Sequence, residues 1–150
     1  MLKGRVNRHG EPVISIQLIL RNRPANFTAV IDTGFNGYLS VPRRLLVRSK
    51  WLDIGTEKFE IATGALVEQE IYLGEIIFDG QQGPVYSVST EAQDILIGTK
   101  LLRDKTLVVN FQTKFLTTNV KGTDREMYLP VNFDVDPLPH LRPPQVPTTV

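Results

Sequence analysis

A single carboxylate at the end of an apolar run is the feature of this sequence that could do chemistry. Asp32 directly follows the apolar residues 29–31, and Thr33 and Gly34 come immediately after it. The chain contains no cysteine, which excludes thiol nucleophiles, disulfides and thiolate metal sites. Acids and hydroxyls must therefore carry any chemistry, and a carboxylate can act as a general acid or base. Asp, Thr and Gly are also ordinary turn residues, so the tripeptide alone does not identify a site.

The residues around Asp32 predict a β-hairpin that ends at this acid. In EPVISIQLIL, residues 13–20 alternate between two faces, which is typical of a half-buried strand. The stretch RNRP, residues 21–24, is typical of a turn. In ANFTAVIDTG the alternation returns, and it ends at Gly34, where a non-strand backbone becomes easy. The two strands are expected to pair, with Asp32 at the end of the second.

The rest of the chain up to residue 120 predicts short strands and little helix. Pro42 suits the first turn of a short helix formed by the residues after it. The other expected elements are two β-rich arms around 62–65, two apolar runs within 83–98, a helical turn at 99–104 and a hairpin over 106–120. Together these predict a mainly β, barrel-like domain.

The C-terminal residues differ in composition from the rest. Six of the ten prolines lie from Pro130 onward, which disfavours a helix or a sheet interior. We therefore predict a domain over 1–120 and a proline-rich arm over 121–150. The arm is expected to be a disordered terminus or, alternatively, a segment packed on a partner subunit or lying in the cleft of its own chain.

Charge and composition exclude several function classes as the default. The 17 Lys and Arg nearly balance the 16 Asp and Glu, so no overall field attracts nucleic acid or anionic lipid. The run 13–20 is too short to span a bilayer, and we expect a cytoplasmic protein without nucleic-acid or membrane partners. The basic run 43–50 is expected to be a solvated surface. His9 and His140 lie far apart in the sequence, so neither a metal nor a cofactor is expected.

Several segments together carry a resemblance to a known family. They are AVIDTG at 29–34, IATGALV at 61–67, DILIGTKLL at 94–102 and TLVVNF at 106–111. In this order and spacing the sequence resembles the retropepsin-like aspartic proteases, the single-domain members of the aspartic peptidase clan, of a cellular or bacterial type. The resemblance covers about residues 11–111 and does not account for the proline-rich arm.

The resemblance implies both a fold and an activity. The fold is all-β with one or two short helices, a retropepsin-like closed β-barrel with a flap hairpin, one lobe per chain. The activity is that of an aspartic endopeptidase, a homodimer that hydrolyses polypeptide substrates. Water would be activated between two Asp32 carboxylates that share one proton across the two-fold axis. The acid would then be unpaired within one chain because its partner belongs to another.

The same resemblance implies roles for individual residues. Asp32 is the catalytic carboxylate, Thr33 hydrogen-bonds the two catalytic loops together, and Gly34 lets the substrate backbone approach. Asp94 is a scaffold residue and not the second carboxylate. The implied substrate-binding residues are Phe35 and Asn36 after the motif and Ala62, Thr63, Gly64 and Ala65 at the flap tip.

The chain departs from the family pattern at two places. Phe35 stands where family members commonly have Ser or Ala, so no hydroxyl is available to stabilise the catalytic carboxylate, and we expect activity at mildly acidic or neutral pH. Asn36 stands where retroviral relatives place an acid that binds the substrate backbone. Thr99 and Lys100 replace an Arg-Asn or Arg-Asp pair, which puts the family's usual dimer contacts in doubt.

Two function classes remain open from the sequence. The first is the active homodimeric endopeptidase. The second is an inactive relative that keeps the turn geometry of the motif and serves as a dimerisation or peptide-binding module. Cleavage that depends on Asp32 would distinguish the first from the second.

Overall fold

The computed structural model describes residues 1–120, and the predicted arm 121–150 lies outside the described residues. The described part contains ten strands and one helix, so the expectation of an all-β fold with one or two short helices is confirmed. The elements are β1 (Leu2–Val6), β2 (Pro12–Leu20), β3 (Arg23–Ile31), β4 (Leu39–Pro42), α1 (Arg43–Ser49), β5 (Leu52–Glu60), β6 (Leu66–Phe78), β7 (Gln81–Thr90), β8 (Ile95–Ile97), β9 (Lys105–Asn110) and β10 (Phe115–Val120).

Six strands close into the predicted barrel. Their order is β6-β7-β4-β8-β3-β2, and β2 pairs back onto β6 through Gln17 opposite Ile77 and Leu18 opposite Ile76. Side chains from all around this ring fill the interior, including Ile16, Leu18 and Ile97, each at most 1% exposed. β5 pairs only with β6 and completes the flap hairpin, whereas β1, β10 and β9 extend the sheet beyond β2.

The predicted hairpin that leads to Asp32 is present as β2 and β3. The strands pair antiparallel over their full length, from Val13 opposite Val30 to Leu20 opposite Arg23. The connecting turn is only Arg21 and Asn22, both with positive φ (51° and 65°). Two such residues match the right-handed twist of the flanking strands. The predicted four-residue turn was thus too long, because residues 23 and 24 already belong to β3.

The predicted helix after Pro42 is present, and the predicted helical turn at 99–104 is a run of turns without a continuous helix. α1 begins at Arg43 and ends before Lys50, which has a left-handed backbone with φ 64°. Residues 99–104 form turns instead, with N–H groups of Leu101 and Leu102 donating to carbonyls three residues earlier at 3.2 and 3.1 Å. The N–H groups of residues 99 and 100 donate to the loop after Asp32. Among residues 1–120, the structure contains no helix that is long and apolar enough to cross a membrane.

An ion pair fastens the β6–β7 turn to the start of β9. Asp79 lies in that turn with its side chain 14% exposed, and its Oδ2 accepts a hydrogen bond from Lys105 Nζ at 2.7 Å. The Met1 ammonium lies 3.1 Å from Asp79 Oδ1. The hydrogen bond from Lys105 outweighs partial burial and lowers the pKa of Asp79.

The lowered pKa predicts how Asp79 contributes to stability as pH changes. A carboxylate whose folded pKa is below its unfolded value stabilises the protein above the unfolded pKa, and this contribution is lost as pH falls through the folded pKa. Asp79→Asn should therefore lower the free energy of unfolding at pH 7 by about 1 kcal/mol and by less below about pH 4. Urea unfolding at pH 7 and pH 3 measures this, with the exposed Asp104→Asn as control. Equal losses at both pH values would contradict it.

Candidate active site

The end of β3 places Asp32 beside a parallel strand. Ile31 of β3 lies opposite Ile97 of β8, and the N–H of Asp32 donates to the carbonyl of Ile97 at 3.0 Å. The carboxylate is half-exposed, and its Oδ1 accepts the N–H of Gly34 at 2.9 Å. The β3–β8 pairing thus fixes the backbone of Asp32 and leaves its side chain partly open to solvent.

The loop after Asp32, residues 33–38, is held by the loop after β8, which we call the support loop (98–104). The N–H groups of Gly98, Thr99 and Lys100 donate to the carbonyls of residues 38, 35 and 37 at 2.9, 2.9 and 3.1 Å. A Cβ on Gly98 would lie 2.1 Å from the carbonyl oxygen of Gly37. This close approach explains why glycine follows the apolar run of β8.

A cavity of about 320 Å³ opens next to this loop, between the barrel and the flap strands. Its lining is largely apolar, with polar groups at Glu57 and Lys100. The lining residues are Phe35, Gly37, Tyr38 and Leu39 after Asp32, Ile54, Glu57, Phe59 and Ile71 of the flap strands, Tyr86, Ser87 and Val88 of β7, and Lys100. A concave apolar site with a few polar groups is typical of ligand binding.

Aromatic rings organise one wall of the cavity. The rings of Tyr38 and Tyr86 lie 6.2 Å apart and are tilted by 50°, a favourable arrangement of aromatic edges and faces. The Lys100 ammonium lies 5.4 Å from the centre of the Tyr38 ring, within the range of a cation–π contact. Lys100 is therefore placed by the support loop and by an aromatic ring together.

The structure brings only some of the sequence-predicted site residues together. Phe35 lines the cavity next to the Asp32 loop. Asn36 faces the support loop, where its Oδ1 accepts the Thr99 hydroxyl at 3.4 Å. Thr33 and Gly34 are exposed beside Asp32.

The predicted flap tip is a turn whose residues do not line the cavity. The N–H of Ile61 donates to the carbonyl of Ala65 at 2.9 Å, the N–H of Gly64 donates to the carbonyl of Ile61 at 2.8 Å, and Gly64 has φ +82°. Ala62, Thr63, Gly64 and Ala65 are all exposed, and none of them lines the cavity of this protomer. The flap contributes to the cavity through its strands and not through its tip.

An ionic cluster holds the base of the flap against α1. Arg43 Nε donates to Glu70 Oε2 at 3.1 Å, and the Tyr72 hydroxyl donates to the same carboxylate at 3.4 Å. The hydrogen bond with Glu70 raises the pKa of Arg43. Burial, followed by the negative charge of Glu70, raises the pKa of Tyr72. These contacts fix β6 of the flap to α1.

Three further observations concern the acidic side chains of this protomer. Within residues 1–120, no hydrogen bond or ion pair joins Asp32 to another acidic side chain. Asp94 is exposed in the bend before β8. No group of three or more His, Asp or Glu side chains in the described part of the chain could hold a metal ion.

Comparison with solved structures identifies the fold. A retropepsin-like aspartic protease from Rickettsia conorii superposes with a TM-score of 0.55 at 14% sequence identity, over 79% of this chain and 89% of that one. The chain has a retropepsin-like fold. Along the chain, the Asp32 loop comes first, the flap hairpin of β5 and β6 second and the support loop third, which is the order that the sequence predicted.

Other solved structures are less similar to this retropepsin-like chain. The EIAV protease, solved with an inhibitor, gives a TM-score of 0.44 at 18% identity over 65% of this chain and 90% of that one. A foamy viral protease–reverse transcriptase gives 0.46 at 12% identity over 61% of this chain, which spans only 12% of that one. No protein-family model and no curated protein matches the sequence.

The cavity contains residues that sequence reasoning missed. Tyr38, Glu57, Tyr86 and Lys100 all line it. The sequence could have indicated Tyr38 and Lys100 as site residues, since Tyr38 follows Gly34 and Lys100 follows Gly98 within six residues. No sequence feature indicates Glu57 or Tyr86, because only the pairing of β5, β6 and β7 brings these residues to the cavity.

Proposed function

We propose that this protein is an aspartic endopeptidase that is active as a homodimer, with Asp32 of each chain forming the catalytic pair. The observation that carries the proposal is the placement of Asp32. Its backbone is fixed at the end of β3, its carboxylate is half-exposed, and a cavity roofed by flap strands lies next to its loop. The domain over 1–120, the arm over 121–150 and the cytoplasmic location stay predictions.

The chemistry requires two carboxylates with opposite roles. One Asp32, ionised, takes a proton from water, which attacks the peptide carbonyl carbon, while the other, protonated, gives its proton to the carbonyl oxygen. Two carboxylates held close together share one proton because like charges at short range disfavour double ionisation. Since no second carboxylate contacts Asp32 within residues 1–120, a two-fold axis near Asp32 is the simplest source of the second one.

The cavity favours an extended polypeptide as the substrate. An extended segment can hydrogen-bond to the flap as an added strand, while alternate side chains enter pockets beside it. In this chain, the apolar lining would accept an apolar side chain, and Glu57 and Lys100 supply opposite charges near it. Phe35, Asn36 and the flap-tip residues are proposed to contact the same segment, and Thr33 to link the two catalytic loops.

Phe35 is the observation that favours the second candidate, an inactive peptide-binding or dimerisation module. Its ring packs over Gly37, whose added Cβ would lie 2.4 Å from the Phe35 Cζ atom, and it also lines the cavity. The ring therefore takes up space in the cavity next to the Asp32 loop. Such a module would bind peptides without cutting them.

The full chain should cut an unfolded protein substrate between about pH 4 and pH 8, the range that a shared-proton pair serves. Because the site forms only in the dimer, activity per chain should rise with chain concentration until the dimer is saturated. Fragment analysis by mass spectrometry over a range of chain concentrations measures both. Peptide binding without fragments would support the inactive module, and activity independent of concentration down to the monomer would contradict a shared site.

A further inference from the structure

The proline-rich arm leaves the described part of the chain beside the loop that contributes to the cavity. Residue 120 ends β10 and lies opposite Lys105, the first residue of β9. Lys105 directly follows the support loop, and its N–H donates to the carbonyl of Leu102 at 3.0 Å. Lys100 of the same loop lines the cavity. The arm therefore begins next to the loop that supplies Lys100 to the cavity.

The arm is long enough to return to this cavity. Paired Cα atoms of antiparallel strands are about 5 Å apart, and the five residues from Lys105 back to Lys100 span at most about 18 Å. The Cα atom of residue 120 thus lies within about 23 Å of the Lys100 Cα atom. Residues 121–130 can span about 33–36 Å when extended. Residues from 131 onward can therefore reach the cavity of their own chain.

One segment of the arm has the alternation of an extended strand. In VNFDVD at 131–136, apolar residues at the odd positions alternate with polar ones, which include Asp134 and Asp136. Pro130 and Pro137 flank the segment. Proline favours an extended conformation in the residue before it and cannot donate to a strand ladder. The segment thus suits an extended conformation in which alternate side chains face two different walls.

The cavity offers two different walls to such a segment. The flap strands form one wall, where Ile54, Phe59 and Ile71 are apolar. The barrel side carries Tyr38 and Lys100, whose hydroxyl and ammonium groups are hydrogen-bond donors. Within the described residues β5 pairs only with β6, so its other edge is free to accept an added strand.

The charges of the cavity and of the segment are complementary. Among residues 1–120, the Lys100 ammonium takes part in none of the ion pairs, and it lies half-buried 5.4 Å from the centre of the Tyr38 ring. Residues 131–139 contain two acids and no base. Glu57, the acid of the cavity lining, is exposed to water, where its charge is screened more strongly than that of a half-buried group. The half-buried cation therefore favours an acidic segment.

We propose that residues 131–136 bind in the cavity of their own chain, with Phe133 on the flap wall and Asp134 against the Lys100 ammonium. Adjacent residues of an extended segment point to opposite sides, so both contacts form together. Asp32 does not line the cavity, so the bound segment excludes substrate and need not place a peptide bond of its own at this acid. The inhibition that results rests on the proposed function, whereas the binding does not.

Paired cysteines test where the segment binds, because the natural chain has none. Full-length chain with Val135→Cys and Ile54→Cys should form a disulfide within one chain on air oxidation, since Ile54 lines the flap wall and Val135 lies on the same side of the segment as Phe133. The matched control combines Val135→Cys with Phe115→Cys. Phe115 is 69% exposed and lines a second groove, between β1, β2 and β10.

Non-reducing electrophoresis and the masses of tryptic fragments identify which cysteines have joined and whether they belong to one chain. The proposal is overturned if the control pair joins as readily as the cavity pair. It is also overturned if the cavity pair joins only between two chains, because the arm would then bind outside its own protomer.

Charge reversal tests the contact between Asp134 and Lys100. Adding Asp134→Lys to the cavity pair of cysteines should reduce the disulfide yield, and adding Lys100→Glu as well should restore it. Circular dichroism checks that each variant keeps its β-structure. A yield that responds to neither change in folded variants would overturn the assigned contact.

A fluorescent peptide of residues 129–138 tests whether the cavity is already occupied. A tethered segment competes at an effective concentration in the millimolar range. Full-length wild type should therefore bind the peptide at least about tenfold more weakly than full-length Asp134→Lys, whose own arm is repelled by Lys100. Asp124→Lys makes the same charge change in the arm outside the segment, and it should bind as weakly as wild type. Equal affinity in all three chains would overturn the proposal.

Cleavage of an unfolded protein tests the inhibition separately. Asp134→Lys should lower the KM several-fold, because substrate no longer competes with the arm. Cross-linking and peptide binding do not depend on catalysis. A chain that forms the cavity disulfide and never cleaves polypeptide would refute the proposed activity and keep the bound segment. Cleavage with an unchanged KM would refute the inhibition, and cleavage by a chain that also forms no cavity disulfide would refute the bound segment alone.

Discussion

Asp32→Asn should cleave an unfolded protein about 10²–10⁴-fold more slowly than wild type, the contribution that general acid–base catalysis usually makes. An amide can neither take the proton from water nor give one to the carbonyl oxygen. The fold should be unchanged, because an amide oxygen can still accept the N–H of Gly34 as the carboxylate does at 2.9 Å. Initial cleavage rates of the two proteins, purified identically and measured from pH 4 to pH 8, test this.

The matched control is Asp94→Asn, which neutralises an exposed acid in the bend before β8. This variant should keep wild-type activity, because the proposal gives Asp94 no catalytic role. Equal rates for wild type and Asp32→Asn would instead mean that the cleavage does not use Asp32.

Mixing chains tests whether the site is shared. If each site needs two Asp32 carboxylates, every dimer that contains one Asn chain is inactive. A tenfold excess of Asp32→Asn chains should therefore reduce the activity of wild-type chains about tenfold once subunits have exchanged. No reduction would mean that each chain carries a complete site.

The parts of the fold that the sequence predicted depend on neighbours along the chain. The alternation over 13–20, the turn that follows it and the second strand up to Asp32 are all local signals. Antiparallel pairing of adjacent strands then follows with a short turn. The helix after Pro42 was predicted for the same reason, since a proline at a helix start acts through its own backbone angle.

The parts that the sequence did not predict depend on distant pairing. The cavity exists because β4 lies between β7 and β8 and because the flap strands lean over the Asp32 loop. No local pattern places Tyr86 against Tyr38 across 48 positions of sequence. Residues 99–104 depend on a similar long-range contact, because the N–H groups of residues 99 and 100 donate to the loop after Asp32. The family resemblance predicted the order of the motifs along the chain. The residues that line the cavity could be identified only from the pairing of strands in the structure.

Gly98→Ala should damage stability and activity together, because it acts where the two loops of the site meet. An added Cβ would lie 2.1 Å from the carbonyl oxygen of Gly37 and 2.8 Å from the Phe35 Cδ1 atom. Neither neighbour can move freely, since that carbonyl accepts the N–H of Lys100 at 3.1 Å and Phe35 lines the cavity. We expect the free energy of unfolding to fall by about 1–3 kcal/mol, the usual cost of overpacking.

The loss of cleavage should exceed what unfolding alone explains, because moving the support loop shifts the backbone that holds Asp32. Urea titration measures the free energy of unfolding and gives the folded fraction. The cleavage rate is then measured at a temperature where the variant is folded and is divided by the amount of folded chain, which isolates the loss of activity from the loss of stability. Gly83→Ala on β7 is the matched control, since an added Cβ there meets no atom within 4 Å, and it should leave both quantities near wild type. If Gly98→Ala had the same stability and the same cleavage rate per folded chain as Gly83→Ala, the close contact between the support loop and the Asp32 loop would not be needed to position Asp32. If instead the cleavage rate per folded chain falls, the Asp32 side chain is intact but misplaced. Cleavage then requires the position in which the support loop and the Asp32 loop hold this carboxylate.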